Sequence, residues 1–156
     1  MVQDSSASNT TQVAGGAAPA GAVAPSDTKL GVIGQVAWLM MSSPIHKHLF
    51  LTDLEWLVIP PVISGQFRLW RRGEIPVGFI SWAKLSDEAE ARLKAGARKI
   101  SPPDWQSGPH TWIMDVIVPF GGQDEAINEL RNGPFKGQRV KMLKPAPGGG
   151  VAVTEF

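Results

Sequence analysis

The sequence predicts an α+β fold, a mixed sheet with helices packed on it. Three observations point there. "GQFRLWRRGEIPVGFISWAKLS" carries two aromatic and β-branched runs around Arg72-Gly73-Glu74, the signature of a hairpin. "HTWIMDVIVPF" is a near-continuous apolar run, as a strand covered on both sides would be. Helical patterns precede, separate and follow these strands, so helices must cover the sheet. At 156 residues there is room for one domain with a real core.

Residues 1–28 are almost entirely Ala, Gly, Ser, Thr, Pro and a few Val, with no large side chain to bury. They are expected to form a disordered tail, leaving 29–156 as the folded domain. "LGVIGQVAWLMMSS" places Leu30, Ile33, Ala37 and Met40/Met41 at roughly helical spacing, and Pro44 should end that helix. "TDLE" at 52–55 has the capping-box pattern, with Thr52 and Glu55 serving each other's amides. A second helix should run through "LEWLVI" and stop or kink at Pro60-Pro61. The hairpin comes next, with Gln66–Arg71 and Ile75–Lys84 as strands. Ser86 should cap "DEAEARLKAGARK", where Glu90 and Lys94 form an i,i+4 pair. "SPPDWQSGP" reads as a loop, "HTWIMDVIVPF" as the central strand, and "GGQDEAINELRNG" as a glycine turn into a helix. "QRVKMLKP" and "GGVAVTEF" close the chain as two strands.

Composition narrows the chemistry. With no cysteine, disulfides, thiolate zinc sites and a Cys nucleophile are excluded. Group transfer must use Ser, His or Lys, or pass directly from donor to acceptor. No apolar run approaches the ~18 residues of a membrane span. The opening residues lack a basic secretory n-region, so the expected location is cytoplasmic. The formal net charge of +1 gives no reason to expect a nucleic-acid partner. It hides one uneven feature. Arg131, Lys136, Arg139, Lys141 and Lys144 form a run without an acid, either a solvated edge or a face for an acidic partner. The six tryptophans are core by default, with a few free to line a groove; that number is also compatible with a homodimer.

Three positions are candidates for chemistry. His46, in "SSPIHKHLF", follows Ser43 by three residues just past a Trp-bearing helix. Asp115 is the one charge in its apolar strand, and a carboxylate there needs a partner. That partner is either an Arg or backbone amide, or an imidazole that Asp115 orients and stabilises. His48 and His110 have weaker claims, and the three histidines are not at metal-ligand spacing. Gly121 and Gly122 open a helix with free amides, a weak phosphate-binding signal.

Several segments together resemble the RTX toxin-activating lysine acyltransferases. They are Ser-Pro-Ile-His at 43–46, Ser-Trp-Ala-x-Leu-Ser at 81–86, Asp-Trp-x-Ser-Gly at 104–108 and Asp-x-Ile-x-Pro-Phe-Gly at 115–121. The resemblance runs in order from about Leu30 to Phe156. It departs at Val116 and Val118, where the family usually has Trp and Ala. It implies a GNAT-like acyltransferase fold and no permanently bound cofactor. It also implies an acyl-carrier protein thioester as donor and internal lysines of an RTX protoxin as acceptor. The family's essential histidine falls on His46, its essential acid on Asp115 and its serine on Ser43. By the same analogy the loop at Gly121 and Gly122 would receive the phosphopantetheine phosphate. Two other readings stay open: a GNAT-like N-acyltransferase using acyl-CoA, and a non-catalytic carrier- or toxin-binding module.

Overall fold

The computed structural model describes residues 27–156; all but the last two residues of the expected 1–28 tail lie outside the described residues. Helix α1 spans Asp27–Ser42. It stops two residues before Pro44, whose ring disfavours helical geometry in the residue ahead of it. The inward face is Val36, Leu39 and Met40, with Val32 and Ile33 partly buried. Leu30 and Met41, which the spacing placed inside, are 50% and 68% exposed. The apolar stripe is therefore rotated from the one expected.

The predicted second helix is two pieces, α2 (Leu54–Leu57) and α3 (Ile59–Ser64). Pro60 and Pro61 start the second piece rather than end the first. Their missing amides matter least in a first turn, where no intrahelical acceptor exists. The expected capping box at Thr52 and Glu55 is replaced by a different contact: Asp53 Oδ2 accepts from the Phe50 amide at 2.8 Å.

Five strands form one sheet in the order β1-β2-β3-β4-β5. They are β1 (Phe67–Arg72), β2 (Ile75–Leu85), β3 (His110–Ile117), β4 (Val140–Pro145) and β5 (Val151–Glu155). All neighbours pair antiparallel except β3 and β4, so the sheet is mixed and β3 is central. Gly73 makes the hairpin turn at φ 62°, which only glycine adopts without strain. Helix α4 (Asp87–Lys94) is capped by Ser86, whose hydroxyl accepts from the Ala89 amide. Helix α5 covers Gln123–Asn132. No helix among the described residues is long and apolar enough to cross a membrane.

The core divides along the two faces of the sheet. On one, α1, α2 and α3 pack on Phe79 and Ile117, and α4 packs on Ala83, Leu85 and Trp112. On the other, Ala126 and Leu130 of α5 pack on Ile80, Ile113 and Met142. Successive residues of β2 alternate between the faces, as a strand buried on both sides requires.

The Asp-Trp-x-Ser-Gly segment is structural. Gly108 lies so close to β2 that a Cβ on it would sit 2.5 Å from the Ser86 Cα and 2.6 Å from the Leu85 carbonyl. Ser107 Oγ accepts from the Ser86 amide and donates to the Asp104 carbonyl. Together they lock the segment against the end of β2.

Glu90 is only 8% exposed and satisfies three donors: Lys141 Nζ and Trp112 Nε1 at 2.7 Å, and Lys94 Nζ at 3.0 Å. Burial alone would raise its carboxyl, but these hydrogen bonds and the Lys141 charge hold it down from 4.5 to about 2. A depressed carboxyl stabilises the fold fully above pH 4.5 and loses that contribution as the pH falls toward 2. Glu90→Gln should therefore cost about 1.5–3 kcal/mol at pH 7. The gap to wild type should narrow steadily below pH 4.5, read as denaturant midpoints. An equal gap at pH 3 and pH 7 would remove the charge from this account.

Candidate active site

His46 and Asp115 are 69 residues apart in sequence and in direct contact, with Nε2 2.9 Å from Asp115 Oδ1. Both side chains are nearly buried. His46 opens a single 3₁₀ turn, His46–His48, directly behind α1. Ser43 closes α1 by donating its amide to the Met40 carbonyl and offers its own carbonyl to the Lys47 amide. The turn thereby points the imidazole back over the sheet. Ser43 Oγ lies 2.7 Å from His46 Nδ1 and is itself buried.

Asp115 reaches this face because β3 bulges. Ser81 pairs with Asp115, but the next β2 residue, Trp82, pairs with Ile113, so Met114 is extra. Strict alternation from Ile113, on the α5 face, would leave Asp115 on the α5 face as well. The added residue moves it to the α1–α4 face, and Val116 returns to the α5 side. Asp115 Oδ1 also accepts from the Val116 amide at 2.9 Å. Asp115 Oδ2 is buried and has no hydrogen-bond partner among the described residues.

These contacts fix the tautomer. An ionised carboxylate only accepts, so His46 carries its proton on Nε2. Nδ1 is then the lone pair, and Ser43 donates its hydroxyl proton to it. The three side chains form a line: hydroxyl, imidazole, carboxylate. His46 and Asp115 border an apolar cleft of about 440 Å³ walled by Leu49, Trp56, Leu57, Leu93, Met114 and Leu143, and Ser43 stands behind His46. Arg98, on the loop after α4, is the one Lys or Arg lining it.

Residues 26–154 match the RTX toxin acyltransferase family. The chain belongs to that family. The acyltransferase is 39% identical over 127 residues to the leukotoxin-activating lysine-acyltransferase LtxC of Aggregatibacter actinomycetemcomitans, covering 80% of this chain and 74% of the relative. It is 36% identical over 128 residues to the protein-lysine myristoyltransferase HlyC of Escherichia coli, covering 81% and 75%. It is 33% identical over 126 residues to the RTX-I toxin-activating lysine-acyltransferase ApxIC of Actinobacillus pleuropneumoniae, covering 80% and 73%.

The acyltransferase brings Ser43, His46 and Asp115 together but leaves Gly121 and Gly122 elsewhere. The two glycines line a separate depression beside Glu125 and Glu129 that shares no residue with the cleft. They open α5, which covers the opposite face of the sheet. The expected basic strip is also divided. Lys141 is a half-buried partner of Glu90, and Arg139 pairs with Glu155 at 2.8 Å. His110 begins β3 and pairs with Asp87 at 2.6 Å. Of the tryptophans, only Trp56 lines the cleft. Arg98 gave no signal in sequence beyond standing after a helix-ending glycine, Gly96.

The tautomer is directly measurable. In ¹⁵N-labelled protein, long-range ¹H–¹⁵N correlation should show a protonated Nε2 and a bare Nδ1 on neutral His46. Ser43→Ala should leave that tautomer in place, because Asp115 sets it. A protonated Nδ1 in wild type would reverse the order of donors along the line.

Proposed function

We propose that this protein is a protein-lysine fatty acyltransferase that moves an acyl chain from acyl-carrier protein to internal lysines of an RTX protoxin. His46 is its general base and Asp115 orients it. The observation that carries this reading is the Ser43–His46–Asp115 line, in which His46 and Asp115 form part of the wall of an apolar cleft. The relatives' names supply the acceptor class, and the cleft volume lies in the range of small-molecule sites. A mixed sheet with helices on both faces is compatible with a GNAT-like fold. The cytoplasm, where acyl-carrier protein is found, is the matching compartment.

A lysine ε-amine is protonated at neutral pH and must lose a proton before it attacks. The ammonium gives a proton to Ser43 Oγ as Ser43 passes its own to His46 Nδ1. The neutral amine then adds to the thioester carbonyl. The tetrahedral oxyanion collapses, the C–S bond breaks, and the amide forms. By way of Ser43, the imidazolium returns the first proton to the departing thiolate; the amine's second proton then takes the same route to His46, which releases it to solvent. Asp115 stabilises the imidazolium throughout. The thioester is already activated, so holding donor and acceptor together does much of the remaining work.

The acyl chain is assigned to the cleft, against Leu49, Trp56 and Leu143. We assign the pantetheine phosphate to Arg98 rather than to the Gly121–Gly122 amides, because Arg98 lines the same cleft. Lys136 and Lys144, both exposed and outside any ion pair among the described residues, are left to meet an acidic carrier.

Mass spectrometry of an RTX protoxin fragment, incubated with long-chain acyl-carrier protein and this enzyme, tests the reading. Wild type should add an acyl group to lysine. His46→Ala should lose roughly 10²–10⁴-fold in rate. Carrier binding with no adduct from either protein would favour the binding-module alternative. Transfer undiminished by His46→Ala would make His46 structural. Arg98→Ala should raise the donor KM by roughly tenfold with kcat nearly unchanged. An unmoved KM would send the phosphate elsewhere.

A further inference from the structure

Ser81 stands directly opposite Asp115 in the β2–β3 ladder. Directly opposed residues of an antiparallel pair share one face of the sheet, with β-carbons about 4.5–5.5 Å apart. Ser81 is fully buried, and its Oγ has no hydrogen-bond partner among the described residues. Asp115 Oδ2 is in the same condition, since both donors to this carboxylate, His46 Nε2 and the Val116 amide, are taken by Oδ1. One buried hydroxyl and one buried carboxylate oxygen thus face each other across two strands. The first can donate and the second can only accept. Buried polar groups are nearly always paired, and one left unpaired on a carboxylate is costly. Phe79 and Ala83, the flanking residues on the same face of β2, are apolar and offer neither group an alternative.

We propose that Ser81 is a positioning residue for the acyl transfer, its hydroxyl donating to Asp115 Oδ2 and so holding the carboxylate that orients His46. Rotation about χ1, or a single bridging water, completes the contact. This rests on the reading of His46 as base. The line of polar groups then runs over four side chains, Ser43, His46, Asp115 and Ser81. Serine, rather than the alanine that packing alone would favour, is explained at this position.

Two other charged groups bear on the pair. Arg98 lines the cleft from the loop after α4, and Lys47 lines the smaller groove on the far side of His46. Neither changes in the test. Removing the Ser81 hydroxyl concentrates charge on Asp115, which then holds a proton on His46 more tightly. The base is freed only at higher pH. Ser81→Ala should therefore lower kcat roughly fivefold to tenfold at pH 7, with donor KM unchanged. The acid limb of its pH–rate profile should move to higher pH, and most of the activity should return at pH 9. Ser81→Cys, near in size with a weaker donor, should fall between the two. It also serves as the test variant if alanine fails to fold. The His46 Nε2 proton resonance should move downfield in Ser81→Ala, a readout that needs no acyl transfer. If His46→Ala still transfers acyl groups, the base reading fails while this resonance reports on Ser81 separately. An unmoved resonance with an unmoved pH profile would overturn the proposal. So would a uniform loss of activity at every pH.

Discussion

A carboxylate in the middle of a central strand must be satisfied, and the pair His46–Asp115 does this across 69 residues of chain. Much else follows from it. The turn after α1 is tied to the middle of β3, which fixes where α1 crosses the sheet. The bulge at Met114 is needed to bring the carboxylate to that face. The cleft opens between the His46 turn with α2 and the end of α4, rather than closing into core, and His46 and Asp115 stand in its wall. Breaking such a contact would strand a near-buried charge, a larger penalty than losing a neutral hydrogen bond.

Most of the element order was legible in the sequence, because each strand and helix carries its own local pattern. The hairpin, the Ser86 cap and the Glu90–Lys94 pair depend on residues a few positions apart, and they are found where local rules put them. The pieces that sequence missed depend on tertiary context. The bulge has no local signature, since "WIMDVIV" reads as an unbroken run; only pairing with β2 reveals it. The prolines at 60 and 61 are as consistent with a helix start as with a stop, and burial under α1 selected the start. Lys141 looked like one of five free cations, yet its distance from Glu90 in sequence hid a buried partner.

The candidate site divides in the same way. Ser43 and His46 lie within one turn, so their contact was within reach of spacing. Asp115 stood out by being the lone charge in its strand. The glycines at 121 and 122 carried a local signal, free amides at a helix start, but no sequence rule says which face of the sheet that helix covers. Its first turn also carries Asp124 and Glu125, whose charge opposes an anion there. Motifs that stand out equally in sequence thus separate in space. Asp-Trp-x-Ser-Gly holds the end of β2 in place, while Ile45 and His46 of Ser-Pro-Ile-His border the cleft.

The contrast between the cleft and the polar line has a chemical consequence. An apolar wall favours the neutral form of an amine that enters it, because desolvation penalises the ammonium. A general base at His46, as proposed, would then complete a deprotonation that such a wall has already made easier. Were the donor a thioester, as proposed, the same wall would keep from it the water that hydrolyses it. The polar groups are confined to one edge, where each is engaged by the next: Ser43 by His46, and His46 by Asp115. A base free to rotate in an apolar groove would find no fixed acceptor geometry. One clamped at both ring nitrogens presents the same lone pair on every turnover. It is exchange along that clamp, rather than motion of the imidazole, that this architecture allows.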